Sequence, residues 1–135
     1  MKRETRAMTP GKAYFTSDEI RPLAARSDLW GAWLVVHCWG VIALALALFS
    51  YVPNALTFVI AIIVIGSRQL GLAILMHEAA HAALFKTKAL NEFAGEWLCG
   101  RPILADLFEY RRYHLKHHRY TQTEKDPDLR LSAPF

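Results

Sequence analysis

The sequence predicts an all-α membrane protein built on a hairpin of two transmembrane helices, and three observations support this fold class. Residues 30–67 contain no Asp, Glu, Lys or Arg, although the whole chain of 135 residues has 16 basic and 12 acidic ones. The pair Pro53-Asn54, which is typical of a turn, interrupts this window near its middle. Each half of the window, with its apolar continuation, is long enough to cross a hydrocarbon core of about 30 Å.

Composition excludes several other classes of protein. The net charge of +4 is small and divides between the two sides of the apolar window, so it does not indicate nucleic acid binding. The two cysteines, Cys38 and Cys99, have no C-x-x-C spacing and predict no disulfide framework. We therefore expect a reducing compartment.

The two apolar runs cover residues 30–51 and 55–76, and both flanks of the hairpin are rich in Lys and Arg. By the positive-inside rule, the N-terminal segment (residues 1–29) and everything after residue 76 are expected in the cytoplasm. Residues 30–135 would form one membrane domain. A cleaved signal peptide is disfavoured, because 29 residues precede the first run and the run is long for that role.

Two polar side chains interrupt these runs. Arg68 is expected to extend toward the lipid headgroups, as a long basic side chain near a helix end can. His37 is expected to form a hydrogen bond between the helices rather than to bind a ligand.

The second helix is predicted to continue beyond the membrane as far as Phe85, because the intervening residues are good helix formers. Within it, His77 and His81 are four residues apart and therefore lie on one face of the helix. This spacing suits two ligands of one metal ion, but an isolated H-x-x-x-H pattern is a weak signal.

Two further helical segments follow. Residues 90–98 form an amphipathic pattern too short to span, which predicts a helix in the plane of the headgroups that ends at Cys99-Gly100. Pro102 is expected to open the next helix. Its apolar stripe is continued by a second histidine group, His114, His117 and His118.

Five of the six histidines thus fall in two helix-borne groups. They could be surface histidines or a hydrogen-bonded polar cluster. However, several facing imidazoles would each need a partner, and they would repel one another when protonated. A bound metal removes this difficulty, and neutral nitrogen donors suit iron, although spacing alone does not exclude zinc.

The sequence HEAAH at the end of a membrane helix, followed by HLKHHRYTQTEKDPDL, resembles the integral-membrane fatty acid desaturase and hydroxylase superfamily. This resemblance implies a four-helix membrane bundle with cytosolic segments. It also implies a non-haem centre of two irons that uses O2 and two electrons to oxidise an acyl chain. The ligands would be His77, His81, His114, His117 and His118.

Two acidic residues could orient these imidazoles through the ring nitrogen that does not bind metal. They are Glu78, next to His77, and Asp126, in the Asp-Pro-Asp sequence after the second group. Each also has an ordinary interpretation, Glu78 as a solvent-side helix residue and Asp126 as the start of a turn.

The resemblance is incomplete, because the superfamily carries a third histidine box after a second pair of membrane helices. No histidine follows His118 in this sequence. We therefore expect this chain to be the N-terminal part of a longer enzyme and to be inactive alone. Desaturation and hydroxylation stay open, as do acyl-lipid, acyl thioester, sphingolipid and carotenoid substrates.

A basic group suggests a partner. Arg111, Arg112, Lys116 and Arg119 could dock an acidic electron donor such as a ferredoxin or a small cytochrome. Contact with anionic lipid headgroups is an equally good explanation.

Two functions from other classes remain open. The HEAAH sequence also fits the zincin motif, in which two histidines bind zinc and the Glu is the general base. A membrane zinc metalloprotease would leave the second histidine group without a role. A non-catalytic two-span membrane protein should contain no metal.

Overall fold

In the computed structural model, the structure describes residues 16–131, so the first fifteen residues of the N-terminal segment lie outside it. Helices joined by short loops are the regular secondary structure of the described residues, which contain no β-strand, and this confirms the predicted fold class. The helices are α1 (Ser17–Leu23), α2 (Asp28–Tyr51), α3 (Ala55–Ala80), α4 (Lys88–Phe93), a π-helix (Ala94–Gly100), a 3-10 helix (Arg101–Ile103), α5 (Leu107–Tyr120) and α6 (Pro127–Leu131).

Helices α2 and α3 form the predicted hairpin. Asn54 ends the turn between them, because its side-chain oxygen accepts a hydrogen bond from Thr57 N at 3.0 Å. Both helices are long and apolar enough to cross a membrane, yet only 22% and 17% of their most apolar stretches are buried. The core helix of a soluble protein would be mostly buried, whereas Leu44 and Ile63 here are 71% and 65% exposed. These exposed apolar faces support a location in the membrane.

Helix α3 ends at Ala80, so the prediction that it continues to Phe85 is wrong. The chain leaves the helix at His81, and Ala82 adopts a positive φ of 55°. Tertiary contacts override the helix propensity of this segment. Asn91 Nδ2 and Arg111 Nη2 each donate to Ala79 O at 2.9 Å, and Arg111 Nε donates to Ala80 O at 3.1 Å. These side chains satisfy carbonyls that a longer helix would have used.

The amphipathic segment after α4 changes to a π-helix, which rotates its apolar pattern. Phe93 and Trp97 are 57% and 59% exposed, whereas the polar Asn91 and Glu96 are buried. The predicted end of this segment at Gly100 is confirmed. Gly95 fits against Ala79 of α3 and Leu107 of α5, where a side chain would collide with both. The segment therefore packs closely between the two helices that carry the histidines.

Helix α5 begins at Leu107, so the prediction that Pro102 opens it is wrong. Pro102 lies instead in the short 3-10 helix. Asp106 caps α5 by accepting hydrogen bonds from Phe108 N at 2.8 Å and Glu109 N at 2.9 Å. The buried carboxylate of Glu96 accepts a third, from Leu107 N at 2.7 Å. Two carboxylates at the positive end of the helix thus fix where it starts.

Candidate metal centre

Two helices bring four histidines together. His77 lies in the last turn of α3 and His81 directly follows that helix, while His114 and His118 lie one turn apart on α5. One ring nitrogen from each of the four lies within 4.8 Å of those of the others. The Nε2 atom of His114 is 2.8 Å from that of His81 and 2.9 Å from that of His118. Residues far apart in the sequence therefore converge on one point.

The pKa values of two of these histidines, His81 and His114, are lowered. Burial, followed by the nearby His77, His118 and His81, lowers the pKa of His114 to about 4. Burial and the neighbouring His77 and His118 also lower the pKa of His81. At neutral pH these imidazoles therefore keep a free lone pair, which is the form that binds a metal ion.

The fifth predicted ligand, His117, lies beside this group and faces acidic residues. Its Nδ1 is 2.8 Å from Asp126 Oδ1 and 3.0 Å from Asp128 Oδ2. The hydrogen bond to Asp126 raises the pKa of His117. Asp126 is itself only 2% exposed, and its carboxylate accepts a hydrogen bond from Gln122 N at 3.0 Å. His117, Asp126 and Asp128 form a second group with the composition of a metal site.

Glu78 contacts the histidine beside it. Its Oε1 is 3.2 Å from Nδ1 of His77, and its side chain is 46% exposed. This contact leaves Nε2 of His77 as the ring nitrogen without an acidic neighbour.

Sequence reasoning missed two side chains at the site. Tyr110 stacks on His114 with its ring 5.1 Å away and an interplanar angle of 11°. Asp128 was visible in the Asp-Pro-Asp sequence, but nothing there indicated that it turns back to His117. The hydroxyl of Tyr113 donates a hydrogen bond to Asp128.

A cavity of about 450 Å³ lies beside His77, one of the four histidines. It is lined by Ala73 and Ile74 of the apolar helix α3, by Tyr110, and by His77 and Glu78. The cavity therefore extends from the apolar surface of a membrane-compatible helix to His77.

The donor set fits a metal ion. Three Nε2 atoms face one another at hydrogen-bond distance around His114, and a neutral imidazole has only one N–H to share. A cation among them would be bound by lone pairs that otherwise point at each other. Nitrogen donors with carboxylates nearby suit iron, and also zinc.

The predicted basic docking group is only partly available. Arg111 points inward and donates to carbonyls of α3, so it acts in the fold. Arg112, Lys116 and Arg119 are exposed and line a surface groove of about 200 Å³ with Tyr120.

Comparisons with known proteins identify the family. Residues 53–135 match the family model described as fatty acid desaturase. The chain is 32% identical over 115 residues to the dihydrorhizobitoxine desaturase of Bradyrhizobium elkanii, an alignment that covers 84% of this chain. It covers 31% of that relative, so the chain spans about a third of the length of the curated protein it matches. No solved structure matches the chain. The family match and this relative together show that the chain belongs to the fatty acid desaturase family.

Proposed function

We propose that this protein takes part in the O2-dependent oxidation of a lipid acyl chain, by desaturation or hydroxylation, at a non-haem centre of two irons. The observation that carries the proposal is the convergence of four imidazoles from α3 and α5, whose ring nitrogens lie within 4.8 Å of one another. Family membership supports the same class of reaction.

The ligands would be His77, His81, His114, His117 and His118, each through Nε2. In His81, His114 and His118, Nε2 is the atom that faces the other rings. In His77 and His117, Nδ1 is engaged by a carboxylate, which leaves Nε2 with the lone pair. These contacts therefore favour Nε2 as the coordinating atom in all five histidines.

Acidic residues would hold the ligands in this orientation. Asp126 is buried and contacts His117 Nδ1 at 2.8 Å, and Asp128 approaches the same atom at 3.0 Å. Glu78 is more exposed and contacts only its neighbour His77. We therefore expect Asp126 to matter more than Glu78 for metal affinity.

The surroundings of the centre suit an apolar substrate. Bound irons would supply the oxidising power needed to remove hydrogen from an unactivated C–H bond with O2 and two electrons. The chain itself contributes the route, because Ala73 and Ile74 continue the apolar surface of α3 into the cavity beside His77. Tyr110, stacked on His114, limits the movement of that ring.

Two irons need more donors than five imidazoles provide. We infer that donors beyond the described residues complete the centre, so that this chain alone would bind iron weakly and turn over no substrate.

The arrangement favours oxidation over the two alternative functions. In a zinc metalloprotease three protein ligands leave one position for water, whereas here four imidazoles converge. A non-catalytic membrane protein would not require four imidazoles to converge in this way.

We further propose that residues 30–135 form the membrane domain, with the N-terminal segment and the histidines in the cytoplasm. The exposed Val52 lies between the helices and Lys125 lies beyond the histidines. In intact cells, a cysteine introduced at Val52 should react with an impermeant thiol reagent, and one at Lys125 should not. The opposite labelling pattern would contradict this topology.

An acidic electron donor, such as a ferredoxin or a small cytochrome, would dock on Arg112, Lys116 and Arg119. These exposed cations lie on α5, the helix that carries three of the proposed ligands. Electrons would therefore have a short path to the metal.

The test compares histidine variants in native membranes, in the enzyme that includes the donors inferred to complete the centre. His114→Ala should remove iron and acyl-chain oxidation, because His114 lies at the centre of the group. His37→Ala is the matched control, since His37 lies in α2 and contacts Trp33 instead. Glu78→Gln should reduce activity by about 10–100-fold at most. Full iron and activity in His114→Ala, together with complete inactivity of Glu78→Gln, would support the protease instead.

A further inference from the structure

The loop between α3 and α4 begins with a strained turn directly after His81. Ala82 has a positive φ of 55°, a left-handed conformation that is unfavourable for a residue with a side chain. Its N donates a hydrogen bond to Ala79 O at 3.0 Å. Ala83 N donates to Glu78 O at 2.9 Å, which completes a helix ending that usually has glycine in the left-handed position. Such a turn persists only where surrounding contacts hold it.

The chain at the start of α2 holds this loop at both ends. Asp28, the first residue of α2, accepts two hydrogen bonds from Thr87, the last residue of the loop. Its Oδ1 accepts from Thr87 N at 2.8 Å, and its Oδ2 accepts from Thr87 Oγ1 at 2.7 Å. Arg26 donates to the carbonyl of Ala82, the first residue of the loop, at 2.5 Å. The loop is therefore attached to the chain that precedes the membrane hairpin.

The middle of the loop packs on the same turn of α2. Leu84 and Phe85 are buried, with 5% and 6% of their surfaces exposed. A Cβ atom at Gly31 would lie 2.3 Å from Leu84 O and 3.0 Å from the ring of Phe85. The loop backbone therefore contacts α2 at a position where only glycine leaves room for it.

Of the two histidines near the end of α3, His81 depends more on this loop. His77 lies within the helix, whereas His81 directly follows it. The N of His81 donates to His77 O at 3.2 Å, in the last turn, and helix ends fray unless the chain beyond them is fixed. The Nε2 atom of His81 must nevertheless stay 2.8 Å from that of His114. Attachment of the loop therefore restrains the position of His81.

We propose that Asp28 is a positioning residue of the metal centre, because its contact with Thr87 fixes the loop that orients His81 toward His114. Arg26 and Gly31 contribute to the same attachment. Asp28 acts through the loop and contributes no ligand. The inference rests on the proposed function, since it takes His81 to be a metal ligand.

The experiment measures cobalt affinity and the visible spectrum of bound cobalt in the enzyme that includes the inferred further donors. Asp28→Ala removes both hydrogen bonds to Thr87. It should weaken cobalt binding by about five- to tenfold and change the spectrum, because His81 is held less firmly. Asp28→Asn should bind like the wild type, since its amide can accept from Thr87 N and donate to Thr87 Oγ1. Asp18→Ala is the matched control, at an exposed acid in the first turn of α1.

A merely structural role of Asp28 would lower Tm without changing the spectrum. Unchanged affinity and spectrum in Asp28→Ala, whatever its Tm, would overturn the proposal. An equal loss in Asp28→Asn would also overturn it, because the charge and not the hydrogen bonds would then be responsible. Thr87→Val removes only the hydroxyl contact and should weaken binding by a smaller factor, which keeps the test available if Asp28→Ala does not fold.

The same measurement separates this inference from the proposed function. If the wild type binds no cobalt, the proposed function fails and the inference fails with it. If the wild type binds cobalt and Asp28→Ala matches it, only the role of Asp28 is refuted.

Discussion

Asn91 should be one of the most sensitive positions for stability, because it ends α3 and supports the loop that follows. It is 1% exposed, donates to Ala79 O and accepts a hydrogen bond from Phe85 N at 3.2 Å. In Asn91→Ala, Ala79 O would keep its hydrogen bonds from Arg111 and from the backbone of Ala82. Only Phe85 N would lose its partner. An unpaired buried N–H costs about 1–3 kcal/mol, and the lost side-chain volume adds to this.

We therefore expect Asn91→Ala to lower the free energy of unfolding by about 2–3 kcal/mol and Tm by about 10 °C. The measurement is thermal unfolding of the metal-free protein in lipid nanodiscs. Leu90→Ala is the control, because Leu90 is adjacent and 45% exposed. A difference between the two variants below about 0.5 kcal/mol would refute the role assigned to Asn91.

Two further predictions concern the packing and the charge of the centre. Gly95→Ala should weaken cobalt binding by about tenfold or more, because the added methyl group pushes α3 and α5 apart. The control Gly66→Ala should bind cobalt like the wild type, since Gly66 has open space beside it. Equal binding by both variants would contradict this prediction. The pKa of His114 falls from 6.5 to about 4 in the folded protein, so the unfolded chain binds more protons between these values. The metal-free protein should therefore lose stability as the pH falls through this range, and His114→Ala should flatten the dependence of Tm on pH; an unchanged slope would count against the lowered pKa.

The large features could be predicted from the sequence because they depend on short-range patterns. The absence of charged residues from residues 30–67 predicts two apolar helices independently of contacts with the rest of the chain. The spacing of His77 and His81, and of His114 and His118, places each pair on one helix face. The two pairs of histidines converge once the helices that carry them pack against each other.

The helix ends could not be predicted, because distant side chains determine them. Ala79 and Ala80 are good helix formers, but Asn91 and Arg111 bind their carbonyls and stop the helix there. Similarly, the start of α5 depends on the buried carboxylate of Glu96. From the sequence pattern alone, these polar residues would be predicted to face solvent on amphipathic segments. Glu96 is buried within the π-helix, which the apolar periodicity does not reveal.

The contact between Asp128 and His117 likewise depends on tertiary structure and could not be predicted from the sequence. The chain must turn between α5 and α6 before the carboxylate can approach the ring, and Gln122 with its positive φ of 61° lies in that turn. A pattern of residue types indicates that acids follow the histidines, but it does not give the direction in which they point.

The central claim is that the histidines of α3 and α5 bind iron. It is tested most directly by metal analysis and iron-57 Mössbauer spectroscopy of the enzyme that includes the inferred further donors, purified without oxygen from its native membranes, alongside its His114→Ala and His37→Ala variants. We expect high-spin non-haem iron in the wild type and in His37→Ala, and its loss in His114→Ala. Zinc in place of iron, or iron that His114→Ala leaves unchanged, would contradict the account.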